Sequence, residues 1–144
     1  MEHIHFNSQG HVFLGTINGI YRSTDVGLTW EQVNYGLNGV QVYSMTIDDQ
    51  DHIYVLTTQP GLFDGYYRSM DHGSIWETLD WVQDINYALD IVGVDGRIYA
   101  INDQTIFITD DAGQTWSELT NGLNQDETFY LGADLELTPS GYLY

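Results

Sequence analysis

The chain has 144 residues, 42% hydrophobic and 14% aromatic, with two prolines, fifteen glycines and no cysteine. That composition fits one ordered, β-rich domain and excludes a disulfide framework, Cys-ligated zinc and thiol nucleophiles. A formal net charge of −18, from 21 acidic residues against the arginines Arg22, Arg68 and Arg97 and no lysine, repels phosphate and excludes nucleic acid and anionic membranes as partners. Cationic partners, divalent metals and neutral sugars stay compatible with it, and acidity by itself keeps a strand-rich protein soluble. No apolar run is long enough to cross a membrane as a helix, so no membrane insertion is expected. Met1 leads at once into strand-like sequence without a signal-peptide pattern.

The first unit, residues 1–36, opens with His3 and His5, which alternate along a strand and share a face. Such a pair is half of a metal site, but a solvent-facing pair is the simpler account. Val12-Phe13 follows a polar turn, and the octet Ser23-Thr24-Asp25-Val26-Gly27-Leu28-Thr29-Trp30 spans the end of one strand, a tight turn and the start of the next. Asn34-Tyr35-Gly36-Leu37-Asn38 then leads out of the unit.

The second unit, residues 41–82, reads as four strands: Tyr43 to Ile47, His52 to Thr57, Gly65 to Ser69 and Ile75 to Leu79. The separators are Asp48 to Asp51, an insertion within Gln59 to Gly65, and the turn of a second octet, Ser69-Met70-Asp71-His72-Gly73-Ser74-Ile75-Trp76. Asp48-Asp49-Gln50-Asp51 invites a calcium reading, yet it lacks the central glycine and distal glutamate of a calcium loop, and an acidic β-turn accounts for it. Tyr66-Tyr67 and Trp81, beside the insertion, form a candidate aromatic platform for sugar stacking, competing with a packing role.

The third unit, residues 87–122, repeats the pattern with Ile98-Tyr99, the octet Thr109-Asp110-Asp111-Ala112-Gly113-Gln114-Thr115-Trp116 and the echo Asn121-Gly122-Leu123-Asn124. The start of a fourth, residues 131–144, ends on Leu143-Tyr144. Trp30, Trp76 and Trp116 lie 46 and 40 residues apart, a period that suits one four-stranded β-propeller blade. No segment sustains a helical period, and β-branched and aromatic residues alternate with Asp, Asn and Gly turns. The expected fold is all-β: three complete four-stranded antiparallel blades and the start of a fourth, forming one partial propeller domain over residues 1–144. An open arc leaves strand edges and half-covered core, so the remaining blades of a longer chain, or self-association, are expected to complete the ring.

The octets share Ser/Thr-x-Asp-x-Gly-x-x-Trp. Within each, the aspartate is placed to accept backbone N–H bonds across the turn, the glycine to adopt a left-handed backbone, and the tryptophan to pack on the hairpin. The structural residues of this reading are Ser23, Asp25, Gly27 and Trp30, Ser69, Asp71, Gly73 and Trp76, and Thr109, Asp111, Gly113 and Trp116. Asp25, Asp71 and Asp111 also read as acids of a shared site, but copies related by blade rotation stand far apart around a rim.

These octets resemble the Asp-box, or BNR repeat, of propellers that include sialidases, xyloglucan-active endoglucanases, sortilin-type receptors, a photosystem II assembly factor and exported bacterial surface proteins. The resemblance covers all three units and implies fold more firmly than chemistry. It implies a non-catalytic propeller module of a secreted or cell-surface protein, a scaffold for protein or carbohydrate binding, with no cofactor and no metal. The alternative it implies is a fragment of an Asp-box glycoside hydrolase, sialidase-like or xyloglucanase-like. A sialidase needs an arginine triad, yet Arg22 and Arg68 occupy the same repeat position just before the box and Arg97 sits in a turn. A glycosidase needs two facing carboxylates, and Asp90, Asp95 and Asp134 are candidates that nothing local distinguishes.

Overall fold

The computed structural model describes residues 3–38, 41–59, 62–79, 88–102 and 105–119. The fourth unit at 131–144, the Asn121-Gly122-Leu123-Asn124 echo, Trp81 and Asp134 lie outside the described residues. Within them the chain forms twelve strands and no helix.

Three antiparallel sheets follow one another, each a simple up-and-down meander with its strands in sequence order. The first blade is β1 (His3–Phe6), β2 (Val12–Thr16), β3 (Gly19–Ser23) and β4 (Glu31–Gln32). Blade 2 is β5 (Gln41–Ile47), β6 (Ile53–Gln59), β7 (Leu62–Ser69) and β8 (Glu77–Thr78), and blade 3 is β9 (Ala88–Val94), β10 (Arg97–Asn102), β11 (Ile106–Thr109) and β12 (Ser117–Leu119).

Three details differ from the sequence reading, the first being that Arg97 is not in a turn but opens β10, paired with Val94. In blade 2, β6 runs to Gln59 and β7 starts at Leu62, so both strands reach into the insertion, with a register shift before Gln59 pairs with Leu62. The fourth strand covers only Glu77–Thr78 rather than Ile75 to Leu79. The reason is competition for donors: Ile75 N bonds Asp71 Oδ1 at 2.8 Å and Trp76 N bonds Tyr35 O at 3.0 Å. Neither amide is left for the ladder.

Blades meet face to face, because strand alternation sends successive side chains into opposite interfaces. Along β6, Ile53 and Val55 enter a cluster with Phe13, Ile20 and Val33 of blade 1, while Tyr54 and Leu56 enter one with Ile91, Ile98 and Phe107 of blade 3. Both faces of the middle blade are therefore core, and each fully buried side chain of this size contributes roughly 1.5–3 kcal/mol. The repeated apolar pairs have a division of labour: Ile53 and Ile98 face the preceding blade, and Phe13 and Tyr54 the following one.

A polar device reinforces each interface. Arg22 Nη1 donates to His72 O in the next blade at 2.7 Å, while its Nη2 pairs with Glu31 of its own blade at 2.6 Å. Arg68 repeats both bonds, to Ala112 O and to Glu77. In blade 3 the register-equivalent positions are Ile108 and Ser117, so both halves of the device are replaced together.

Candidate functional site

All octet turns lie on one rim, joining the third and fourth strands of each blade, and share one hydrogen-bond pattern. Ser23 Oγ donates to Asp25 Oδ1 at 2.8 Å and accepts from Gly27 N at 2.8 Å, while Thr29 donates from N to Asp25 Oδ1 (2.8 Å) and from Oγ1 to Oδ2 (2.6 Å). Thr109, Asp111, Gly113 and Thr115 repeat the set at 2.8, 3.0, 2.8 and 2.6 Å. Ser69, Asp71 and Gly73 keep all but the last bond, because Ile75 has no hydroxyl. The hydroxyls of Ser23, Ser69 and Thr109 sit on buried residues, where a donor and an acceptor role together leave no polar atom unmet.

Backbone strain accompanies the pattern at a position that sequence reasoning missed. Val26, His72 and Ala112 have φ of 62°, 59° and 57°, immediately before the octet glycines at 89°, 85° and 85°. Two successive left-handed residues make the turn tight enough for the aspartate to reach across it. A β-branched residue at positive φ is strained, so nothing in the residue type of Val26 signalled this geometry.

The tryptophans diverge. Trp76 is buried and its Nε1 donates to Val33 O of blade 1 at 2.7 Å. Trp30 and Trp116 instead donate to their own turns, at Gly27 O (3.1 Å) and Gly113 O (3.2 Å), although Trp116 still packs on the core between blades 2 and 3.

These contacts fix the charge state of the acids. Bonds from the Thr29 hydroxyl and amide, then from Ser23, bring Asp25 down from 3.8 to about 2. The Thr115 hydroxyl and amide, then Thr109, do the same for Asp111, also to about 2. At Asp71 burial works upward, and the donors from Ile75, Ser69 and Ser74 together outweigh it, leaving a lowered pKa. Carboxyls this acidic hold no proton to donate near neutral pH, so the geometry makes them turn acceptors and poor general acids. Because the folded values lie below the ordinary one, their stabilisation is complete above 3.8 and is lost as pH falls toward about 2. The double variant Asp25→Asn/Asp111→Asn is therefore expected to be less stable than the parent at pH 6, with the gap closing by pH 2. Urea midpoints across that range measure it; a gap independent of pH contradicts the assignment.

The second octet offers the complementary gain. Ile75 is half exposed, and Ile75→Thr supplies Asp71 with the hydroxyl donor that Thr29 and Thr115 give in their own octets. One added hydrogen bond to a charged acceptor is expected to stabilise by about 1 kcal/mol, read as a higher urea midpoint with unchanged slope.

The other candidates separate into structural roles and one shared location. Asp48 closes its own turn: Oδ1 accepts from Gln50 N and His52 N, and Oδ2 from the Tyr54 hydroxyl and His52 Nδ1. Burial, then the charge of Asp48, holds the Tyr54 phenol well above its usual range. Asp51, at φ 65°, accepts from Ser8 N and Oγ at 2.7 and 2.6 Å, tying the first turn of blade 2 to that of blade 1. Tyr67 is core, its hydroxyl taken by Asn38 N at 3.2 Å, and Tyr66 packs against the other interface, so the pair does not form an exposed platform. Asp95, at φ 47°, and Gly96 form the two-residue turn before Arg97.

His3, His5, Ser44 and Asp90, by contrast, come together on the first strands of three blades. His3 Nε2 donates to Tyr43 O at 2.8 Å, and the Ser44 hydroxyl donates to Asp90 Oδ1 at 2.5 Å while Ile91 N also bonds that oxygen. Burial, then the neighbouring His3, depresses the basicity of His5, with Asp90 acting in the opposite direction. Sequence spacing paired the histidines; only the packing of β1, β5 and β9 added Ser44 and Asp90. Among the described residues no group of three His, Asp or Glu side chains has metal-binding geometry.

No protein-family model and no curated protein sequence matches the chain. Solved structures do. YCF48 bound to D1 peptide superposes with a TM-score of 0.72 at 19% identity, over 96% of this chain and 45% of that one. YCF48 from Cyanidioschyzon merolae gives 0.68 at 17%, over 96% and 47%. The GH74 enzyme of Niastella koreensis gives 0.65 at 17%, over 92% and 22%. The chain thus spans less than half the length of the YCF48 structures and about a quarter or less of the GH74 enzyme. At such identities the likeness establishes architecture: the chain is a run of four-stranded β-propeller blades.

Proposed function

We propose that the chain is part of an Asp-box propeller serving as a non-catalytic binding scaffold in an exported or cell-surface protein, with an extended protein segment as its ligand. The observation that carries this reading is the fate of the residues that chemistry would need. The three box carboxylates are engaged by their own turns, and Arg22 and Arg68 are spent on carbonyls of neighbouring blades. A sialidase triad or a glycosidase acid drawn from these groups would dismantle the blades that hold it. The peptide-bound YCF48 structure supports a protein ligand. The net charge of −18 favours a basic one, through electrostatic steering that weakens with salt.

The GH74 likeness supports a second reading, a segment of a glycoside hydrolase completed by further blades, with carbohydrate as the ligand. A peptide array rich in basic extended sequences, probed with the 144-residue protein and followed by calorimetry, distinguishes the two. Saturable, salt-sensitive peptide binding without hydrolysis of xyloglucan or fluorogenic sialosides is expected. Hydrolysis abolished by a single carboxylate substitution overturns the scaffold reading.

A further inference from the structure

Among the described residues one face of blade 1 is apolar and open at Ile4, Phe6 and Trp30, while Val12 is buried and Leu14 and Tyr21 are half-buried. Opposite the face that packs on blade 2, the register Ile4↔Leu14↔Tyr21 and Phe6↔Val12 aligns a row of apolar side chains, with Trp30 beyond it. Ile4 is 56% exposed, Phe6 64% and Trp30 40%.

The repeat shows what this surface does elsewhere in the same molecule. Register equivalents in blade 2 are Met45, Ile47, Ile53, Val55, Tyr67 and Trp76, and every one packs against blade 1. In blade 3 the equivalents Ile91, Ile98, Phe107 and Trp116 pack against blade 2. Two of three copies of this face are thus docked on a preceding blade, in both cases with an arginine of that blade bonded to the carbonyl of the fourth box residue, His72 or Ala112. The left-handed φ shared by these residues sets the direction of that carbonyl, and Val26 has the same φ. Blade 1 therefore carries the complete receiving half of the interface, apolar row and acceptor together.

We infer that this face is a docking surface for another four-stranded antiparallel blade, one that bears an arginine immediately before its box hydroxyl and donates it to the Val26 carbonyl. Such a blade buries Ile4, Phe6 and Trp30 as blade 1 buries Met45, Ile47 and Trp76. Blade 3 of a second copy does not meet the requirement, since Ile108 and Ser117 replace the arginine and its glutamate partner. The inference is independent of what ligand the scaffold binds.

The test supplies the occupant. Residues 1–40, with Arg22, are duplicated ahead of Met1 of the full 144-residue protein; a second version carries residues 41–80, with Arg68, in that place. Hydroxyl-radical footprinting, with the added copy segmentally 15N-labelled so that its identical peptides differ in mass, reads Phe6 and Trp30 of the original blade 1, with the original, buried Trp76 as the internal standard. Expected is loss of labelling at Phe6 and Trp30 down to the level of Trp76, reversed by Arg22→Ala in the added copy. Labelling that persists with both extensions overturns the inference. So does a light-scattering dimer of the unextended protein in which Phe6 and Trp30 are already shielded, because the occupant is then a second copy.

Discussion

Gly36→Ala is expected to destabilise the protein by about 3 kcal/mol, from backbone strain and overpacking acting together. Gly36 has φ of +100°, and a Cβ there would lie 2.2 Å from Trp76 O and 3.1 Å from its carbonyl carbon. The obstacle is backbone, and it is held from two directions: Trp76 N donates to Tyr35 O at 3.0 Å, and its buried indole donates to Val33 O at 2.7 Å. Relief requires moving the blade 1 to blade 2 connection off the second octet, which also uncovers Leu37 from the core. Urea unfolding followed by tryptophan fluorescence checks this. A midpoint within error of the parent means that the connection does not clamp blade 2.

Phe13→Ala is expected to cost about 3–5 kcal/mol, as large-to-small changes of buried aromatics do. Phe13 has no exposed surface and sits where Ile20, Val33 and the blade 2 residues Val42, Met45 and Trp76 converge. Phe6→Ala, on the same sheet but on its opposite face, is expected to stay within about 0.5 kcal/mol in the 144-residue protein, since Phe6 is 64% exposed. The contrast between two phenylalanines of one blade separates interface packing from strand propensity, which the two changes affect alike. Equal losses would mean that blade 1 derives its stability from within its own sheet. When an added blade covers the outer face, Phe6→Ala becomes costly as well, which links this measurement to the footprinting test.

The repeat, the turns and the all-β class were legible in residue order because they are encoded over short range. An aspartate four residues before an amide, or a hydroxyl four residues before a glycine N–H, needs no distant partner to close. The same locality explains why Arg22 and Arg68 were recognisable as repeat features, whereas their targets were not. Arg22 bonds a carbonyl fifty residues away, and a carbonyl has no side-chain signature. The left-handed φ that aims it falls on Val26, His72 and Ala112, three residue types with nothing in common.

The burial of the aromatics was likewise undecided by spacing. Trp30 and Trp76 occupy the same octet position, yet one is 40% exposed and the other 3%, because among the described residues only Trp76 of the two has a blade in front of it. For Tyr66 and Tyr67 spacing favoured packing over a platform without saying against what, and alternation along β7 sent each into a different interface. The sequence by itself determined blade count over the described units, turn chemistry and strand order, all set by contacts within a hairpin. Tertiary structure alone decided which face of each strand is core, which acids and arginines are consumed, and that His5, Ser44 and Asp90 share one place. Those outcomes depend on the packing of whole sheets, whose contacts join residues about forty positions apart.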